Sequence, residues 1–204
     1  MDSIIFLFLL GLISSFIGTL PLSTLNLSIL KLALANQHRQ ALSFTFGASI
    51  IEFVQLCLTL YLMNVLSNID NFKTGIAIIS IPILLFLGYK SYKTSVNINK
   101  GVKVENDGFK QGIVLSLANV IVYPFWLLWG QIFVRNGWLK TDISALSVFS
   151  IGAGIGTLFA FLIFVYLGKL LWKRLYHLQF LINKLIAFTF FGFAIMQFYS
   201  IVKQ

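Results

Sequence analysis

The chain has 204 residues, of which 58% are hydrophobic and only 10% charged, with a mean hydropathy of +0.91. A soluble domain carries about 25% charged residues, so composition excludes a water-facing fold and places the chain in a bilayer, with length for about six crossings. The net charge of +9 does not make a nucleic-acid surface, because the basic residues sit in short loops between apolar runs.

The first apolar segment runs from about Ser3 to Leu34, longer than one crossing needs. It has no basic start and no small-residue cleavage site, so it is expected to remain as a helix. Gly11, Ser14, Ser15 and Gly18 recur at helical spacing along its first half, where small side chains let helices approach closely. Pro21 then removes a backbone donor, and Ser23, Thr24, Asn26 and Ser28 put polar groups where a structural span would carry Leu or Val. A break is predicted here. Irregular backbone at membrane depth survives only against protein or a water-lined cavity, so the break is a candidate binding site.

A polar turn at 36–40 leads to the second span, about Ala41 to Leu66, and a turn at 67–71 to the third, about Thr74 to Tyr92. The stretch 93–108, rich in Lys and Asn, reads as a cytoplasmic linker between a first half, 1–92, and a second, 109–204. The fourth span, about Phe109 to Val134, carries a second interruption at Asn119 and Pro124. The fifth runs from about Ile143 to Leu171 and the sixth from about Phe180 to Val202, separated by an aromatic and basic collar at Trp172–His177. Trp126, Trp129, Trp138, Tyr61, Tyr166 and Tyr199 are candidates either for interfacial belts or for packing inside.

Three landmarks recur at nearly one offset. Gly47 and Gly152 stand 105 positions apart, Pro21 and Pro124 103, and Gly88 and Gly192 104. The expected architecture is therefore an all-α membrane protein of six transmembrane helices. It forms two inverted three-helix repeats with broken first and fourth helices, whose breaks face one another. Over six spans, one side holds four Lys and Arg and the other eleven. The eleven-residue side should be cytoplasmic, leaving both termini on the other.

Glu52 is the one carboxylate inside an apolar span. A bare carboxylate there costs at least about 2.5–3.5 kcal/mol, so it is expected to be protonated, paired or exposed to a cavity. On a helical wheel Thr45, Ser49, Glu52, Gln55 and Thr59 fall on one face. That stripe reads either as a proton-titrating group on a lined route or as hydrogen bonds that specify packing. Asn26 and Asn119 are candidates to satisfy broken backbone or to contact substrate, with Ser23 and Thr24 behind them. Tyr123 and Gln131 line the same cavity or act as plain packing groups. Half-helix ends at Pro21 and Pro124 would suit a zwitterion. His38 and His177 read as solvated, Cys57 stands alone, and no metal, cofactor or catalytic motif is present.

These residues resemble the LysE/RhtB-type translocators of amino acids. Gly18-Thr-Leu-Pro21 is similar to the family's Pro-Gly-Pro in the first helix, and Ala41-Leu-Ser-Phe-Thr-Phe-Gly47-Ala to the start of its second. Gly112-Ile-Val-Leu-Ser-Leu-Ala-Asn119 is similar to the segment leading to the fourth-helix Asn-Pro. Leu22-Ser23 replaces Gly-Pro after Pro21, and Val120 stands where that motif has its Pro. The resemblance implies proton-driven export of an amino acid or related metabolite across the inner membrane by a transporter rather than an enzyme. Its partners would be the substrate, protons, the bilayer and, for a homodimer, a second copy. A transporter or channel for an inorganic ion or another solute, or a non-transporting membrane scaffold, are the alternatives the residues leave open.

Overall fold

A computed structural model describes residues 3–21, 23–67, 72–93 and 107–202; among them there is no strand. Helices α1 (Ile4–Thr19) and α2 (Thr24–Leu34) are the halves of the first span, with axes 73° apart. Next come α3 (His38–Ser67) and α4 (Phe72–Lys93). The fourth span is again two helices, α5 (Gly108–Leu117) and α6 (Val122–Arg135), bent by 63°. By length and apolarity α3 and the Ile143–Gly168 part of α7 (Ile143–Val202) are each able to cross a membrane, and each bent pair passes the same test when its halves are taken together. The chain is an all-α membrane protein. Positions 68–71 and 94–106, covering most of the expected turn and linker, lie outside the described residues, as do the side chains of the collar.

The sequence reading places two helices where the backbone runs on helically from Ile143 to Val202. That run is not one straight rod. Phe149 packs on Phe133 at 5.8 Å, Phe133 on Trp129 at 5.5 Å, and Trp129 on Phe193 at 5.6 Å, whereas 44 residues of straight helix would separate Phe149 from Phe193 by roughly 66 Å. The chain doubles back between Gly168, seated against Leu30 of α2, and Lys184, whose ammonium lies 5.8 Å from the Tyr92 ring at the end of α4.

Contacts between the spans are reciprocal. In α1 and α7, Gly11 backs onto the Phe149 carbonyl and Gly152 onto that of Phe8. In α5 and α3, Gly112 backs onto the Phe44 carbonyl and Gly47 onto that of Phe109. At each point a Cβ would fall on a neighbouring main chain, so glycine permits the approach. The third pairing is α4 with the returning part of α7, where Leu84 and Leu87 pack with Phe190 and Ala194. Both broken spans also end alike. Asn36 after α2 (φ 61°) and Gly137 after α6 (φ 70°) take the left-handed conformation, followed by Gln37 N donating to Leu32 O and Trp138 N to Phe133 O.

These stops stand 101 positions apart, a register that aligns Pro21 with Val122. The two prolines are therefore not equivalent residues. Pro21 sits between helices, whereas Pro124 lies in the first turn of α6, where a helix has no use for the missing N–H. Trp126 proves to be buried, edge-on to Phe149 at 5.8 Å, and Trp129 is half-buried against the same cluster. They lie on the face of α6 that also buries Val122 and Phe133, whereas Trp138, Tyr61, Tyr166 and Tyr199 are exposed.

Asp107 and Asp142 cap α5 and α7. The Lys110 N–H holds the Asp107 carboxyl below the usual carboxylate range, and the hydroxyl of Ser144, then the Ala145 N–H, do so for Asp142. A depressed folded-state value gives stability that is present above the unfolded value and lost as pH falls through the folded one. Thermal unfolding followed from neutral pH into acid should show that loss. An Asp107→Asn/Asp142→Asn chain, which keeps the caps but removes the titration, should show less of it.

Candidate functional site

The first break is built by Asn26. Ser23 caps α2, its hydroxyl accepting from Asn26 N at 3.2 Å, and the Asn26 side chain turns back to close the gap. Its Nδ2 donates to Thr19 O at 2.7 Å and Pro21 O at 2.6 Å, so one fully buried amide satisfies carbonyls that the broken helix leaves without partners. Ser23 and Thr24 are exposed, and Ser28 spends its hydroxyl on Thr24 O within α2. Asn26→Ala should cost about 1–3 kcal/mol for each carbonyl orphaned, against about 1 kcal/mol for Ser23→Ala. Thermal unfolding in detergent measures the difference.

The second break spans Ala118–Ile121, and Asn119 is its working residue. Asn119 Nδ2 donates to Glu52 Oε1 at 3.0 Å, tying the unwound segment of the fourth span to the lone acid of α3. One turn to either side of Glu52 the same face of α3 holds α5. Gln55 Nε2 donates to Ser116 O at 3.2 Å, and Ser116 Oγ donates to Ala48 O at 3.2 Å. Thr45, Ser49, Gln55 and Thr59 are buried and Glu52 half-buried, so the stripe faces protein and not lipid. Thr59 bonds to Gln55 O within α3.

The helix ends that flank the two breaks meet. A Cβ at Gly18, one residue before the end of α1, would stand 2.5 Å from the tip of Phe125, the residue after Pro124. Leu20, at the close of α1, packs against the buried cluster that includes Phe44 and Ala48 of α3, and Leu115 of α5 packs against the same cluster. Both interruptions thus lean on α3. Asn26 Oδ1 on α2 and Thr45 Oγ1, Ser49 Oγ and Gln55 Oε1 along α3 are among the buried side-chain atoms of the described residues that have no hydrogen-bond partner. Leaving such groups unpaired costs about 1–3 kcal/mol each, which marks these positions as something other than packing optima.

Tyr123, Pro124 and Gln131 are half-buried on α6, Gln131 nine residues beyond the helix start and so roughly 13 Å along its axis. Sequence reasoning missed Ser116, although its place one turn before Asn119 was a usable signal. It also missed a hydroxyl pair, Ser15 and Thr157, 2.6 Å apart and buried between α1 and α7. A cavity of about 290 Å³ opens elsewhere, between the start of α1 and the α6–α7 turn, lined by Leu7, Trp138, Lys140 and Asp142. It lies away from both breaks.

Paired unwound segments, a half-buried acid and unpartnered polar atoms inside an apolar helical bundle define a membrane transporter. The family model of the LysE type translocators matches residues 16–200, nearly the whole chain, and the protein belongs to that family. Its members are translocators and not enzymes. Neither the curated proteins nor the solved structures hold a match.

Proposed function

We propose that the chain is a proton-coupled exporter of an amino acid or related small metabolite. In this reading two inverted three-span units, 1–92 and 109–204 joined by a cytoplasmic linker, move against one another around the paired breaks. The observation that carries it is the Asn119–Glu52 hydrogen bond, which joins the one acid of the spans to a segment of backbone that is not helical.

A charged acceptor makes this bond roughly twice as strong as a neutral one. Protonation of Glu52 therefore loosens the second break, and loss of the proton re-fastens it. If proton and substrate compete for the carboxyl, the differential affinity that antiport requires follows. Asn26 keeps the first break in shape, while Thr45, Ser49 and Gln55 line the route. Pro21, Ser23, Thr24, Tyr123 and Pro124 form the walls of the substrate site, with Gln131 further along the path.

The reciprocal contacts of α1 with α7 and of α5 with α3 support the repeat, because exchanging the two units maps one pair onto the other. The orientation rests on charge. Lys31, Arg39, Lys90, Lys93 and Lys110 stand at α2, α3, α4 and α5 ends on the linker side, which makes that side cytoplasmic and leaves both termini outside the inner membrane. The test is efflux of amino acids from loaded vesicles, with and without a pH gradient. Efflux that follows the gradient supports the reading, and efflux indifferent to it removes proton coupling.

A further inference from the structure

The glycine contacts place the two halves of the chain in register. Gly11 and Gly112, like Phe8 and Phe109, stand 101 positions apart, whereas Phe44 and Phe149, Ala48 and Ala153, and Gly47 and Gly152 stand 105 apart. Ser15 of α1 is then the counterpart of Ser116 of α5, and Thr157 of α7 that of Glu52 of α3. The buried Ser15–Thr157 hydrogen bond, 2.6 Å long, stands where its counterpart would join Ser116 to Glu52. There the halves differ. Ser116 Oγ donates to Ala48 O, and Glu52 is held by Asn119, whose own counterpart Gly18 has no side chain. Ala48 O is the carbonyl that takes the helical hydrogen bond of the Glu52 N–H, and side chains on a helix lean back over the preceding turn, so Ser116 touches the turn that the Glu52 side chain can cover. The two partners also differ in chemistry. Asn119 Nδ2 has only protons to give, which suits an ionised carboxylate, whereas Ser116 Oγ gives its one proton to Ala48 O and keeps lone pairs with which to accept.

We propose that Ser116 is a second berth for the acid: when Glu52 takes up a proton, its new O–H donates to Ser116 Oγ and the carboxyl leaves Asn119, as Thr157 meets Ser15 in the other half. This rests on the transport reading above and names a positioning residue for it, one that holds the protonated acid away from the second break. Charged side chains of the elements packed on α3 stand elsewhere among the described residues. Lys31, Lys90, Lys93, Lys110 and Arg135 lie in the first or last turns of α2, α4, α5 and α6, and Lys184 of α7 lies by the Tyr92 ring. Of the tyrosines, Tyr166 of α7 is exposed, and Tyr123, half-buried at the start of α6, comes four residues after Asn119.

The test uses the full chain in lipid nanodiscs and records infrared difference spectra between alkaline and acidic pH. Protonated Glu52 should give a carboxylic C=O band that Glu52→Gln removes, and the position of that band reports what the carboxyl group is bonded to. Ser116→Ala should shift it. The variant should fold, because Gln55 bonds to the Ser116 main chain and keeps its partner. Ser15→Ala, the same deletion in the other half, should leave the band in place, and so should Asn119→Ala, since the protonated acid has left that amide. Gradient-driven efflux of Ser116→Ala should fall about fivefold, the worth of one ordinary hydrogen bond in a rate. A band that stays put in Ser116→Ala, shifts as far in Ser15→Ala, shifts instead in Asn119→Ala, or is missing from the parent chain overturns the second berth. The transport reading fails separately, because the spectra need no transport: efflux indifferent to the gradient removes proton coupling, whereas gradient-driven efflux with an unmoved band sinks the berth alone.

Discussion

Glu52→Gln is expected to reduce gradient-driven efflux by at least about tenfold, the loss that follows when an interaction needed in one state of a cycle is removed. Glutamine keeps an oxygen where Asn119 Nδ2 donates, so the 3.0 Å tie between α3 and the second break survives and the protein should fold. What is lost is the proton. A side chain that is neutral on both sides of the membrane carries nothing down a gradient and gives the break the same hold in every state. The variant should therefore show residual efflux that no longer responds to the pH difference. Glu52→Asp retains the titration but withdraws the carboxyl by one methylene from Asn119, and should fall between the two. Efflux from loaded vesicles at several imposed gradients, with unfolding temperature as the control for folding, separates these outcomes.

Gly112→Val is the second large effect, and it acts on the fold. A Cβ at position 112 would lie on the Phe44 carbonyl and 3.0 Å from the Ala48 amide, both main-chain atoms that cannot rotate away. The helices α3 and α5 would have to separate, and with them the Gln55–Ser116, Ser116–Ala48 and Asn119–Glu52 bonds that assemble the site. Overpacking a well-packed contact costs about 1–3 kcal/mol, and backbone against backbone belongs at or above the top of that range. No monodisperse protein should be recovered from detergent. Gly192→Val is the matched control, because nothing stands within 4 Å of a Cβ there, and it should behave as the parent chain does.

Much of this was legible in the sequence, for reasons that differ by residue. The break at Pro21 followed from proline chemistry together with Ser23 and Asn26, and the α3 stripe from a 3.6-residue period that burial then respects. Glu52 stood out because an acid in an apolar run has to be explained. Proline misled at position 124, since helices accept it in their first turn. The true stop was carried by Ala118–Ile121, where only Asn119 has a distinctive side chain. The continuous helical run of α7 was not legible either, as a bend inside a helix leaves no turn residues behind. The pairing of Asn119 with Glu52, 67 positions apart, is a property of packing that no local pattern encodes.

The claim on which the mechanism turns is that the helix ends flanking the two breaks, the last turn of α1 and the first turn of α6, touch and must part for transport to occur. Cysteines replacing Gly18 and Phe125, with Cys57→Ala to remove the native thiol, place one reactive group on each of these helix ends. A short bifunctional thiol reagent should join them, and efflux from loaded vesicles should drop to background in the joined protein while the unjoined variant still transports. Complete cross-linking that leaves gradient-driven efflux undiminished, or a pair that cannot be joined at all, would contradict the account.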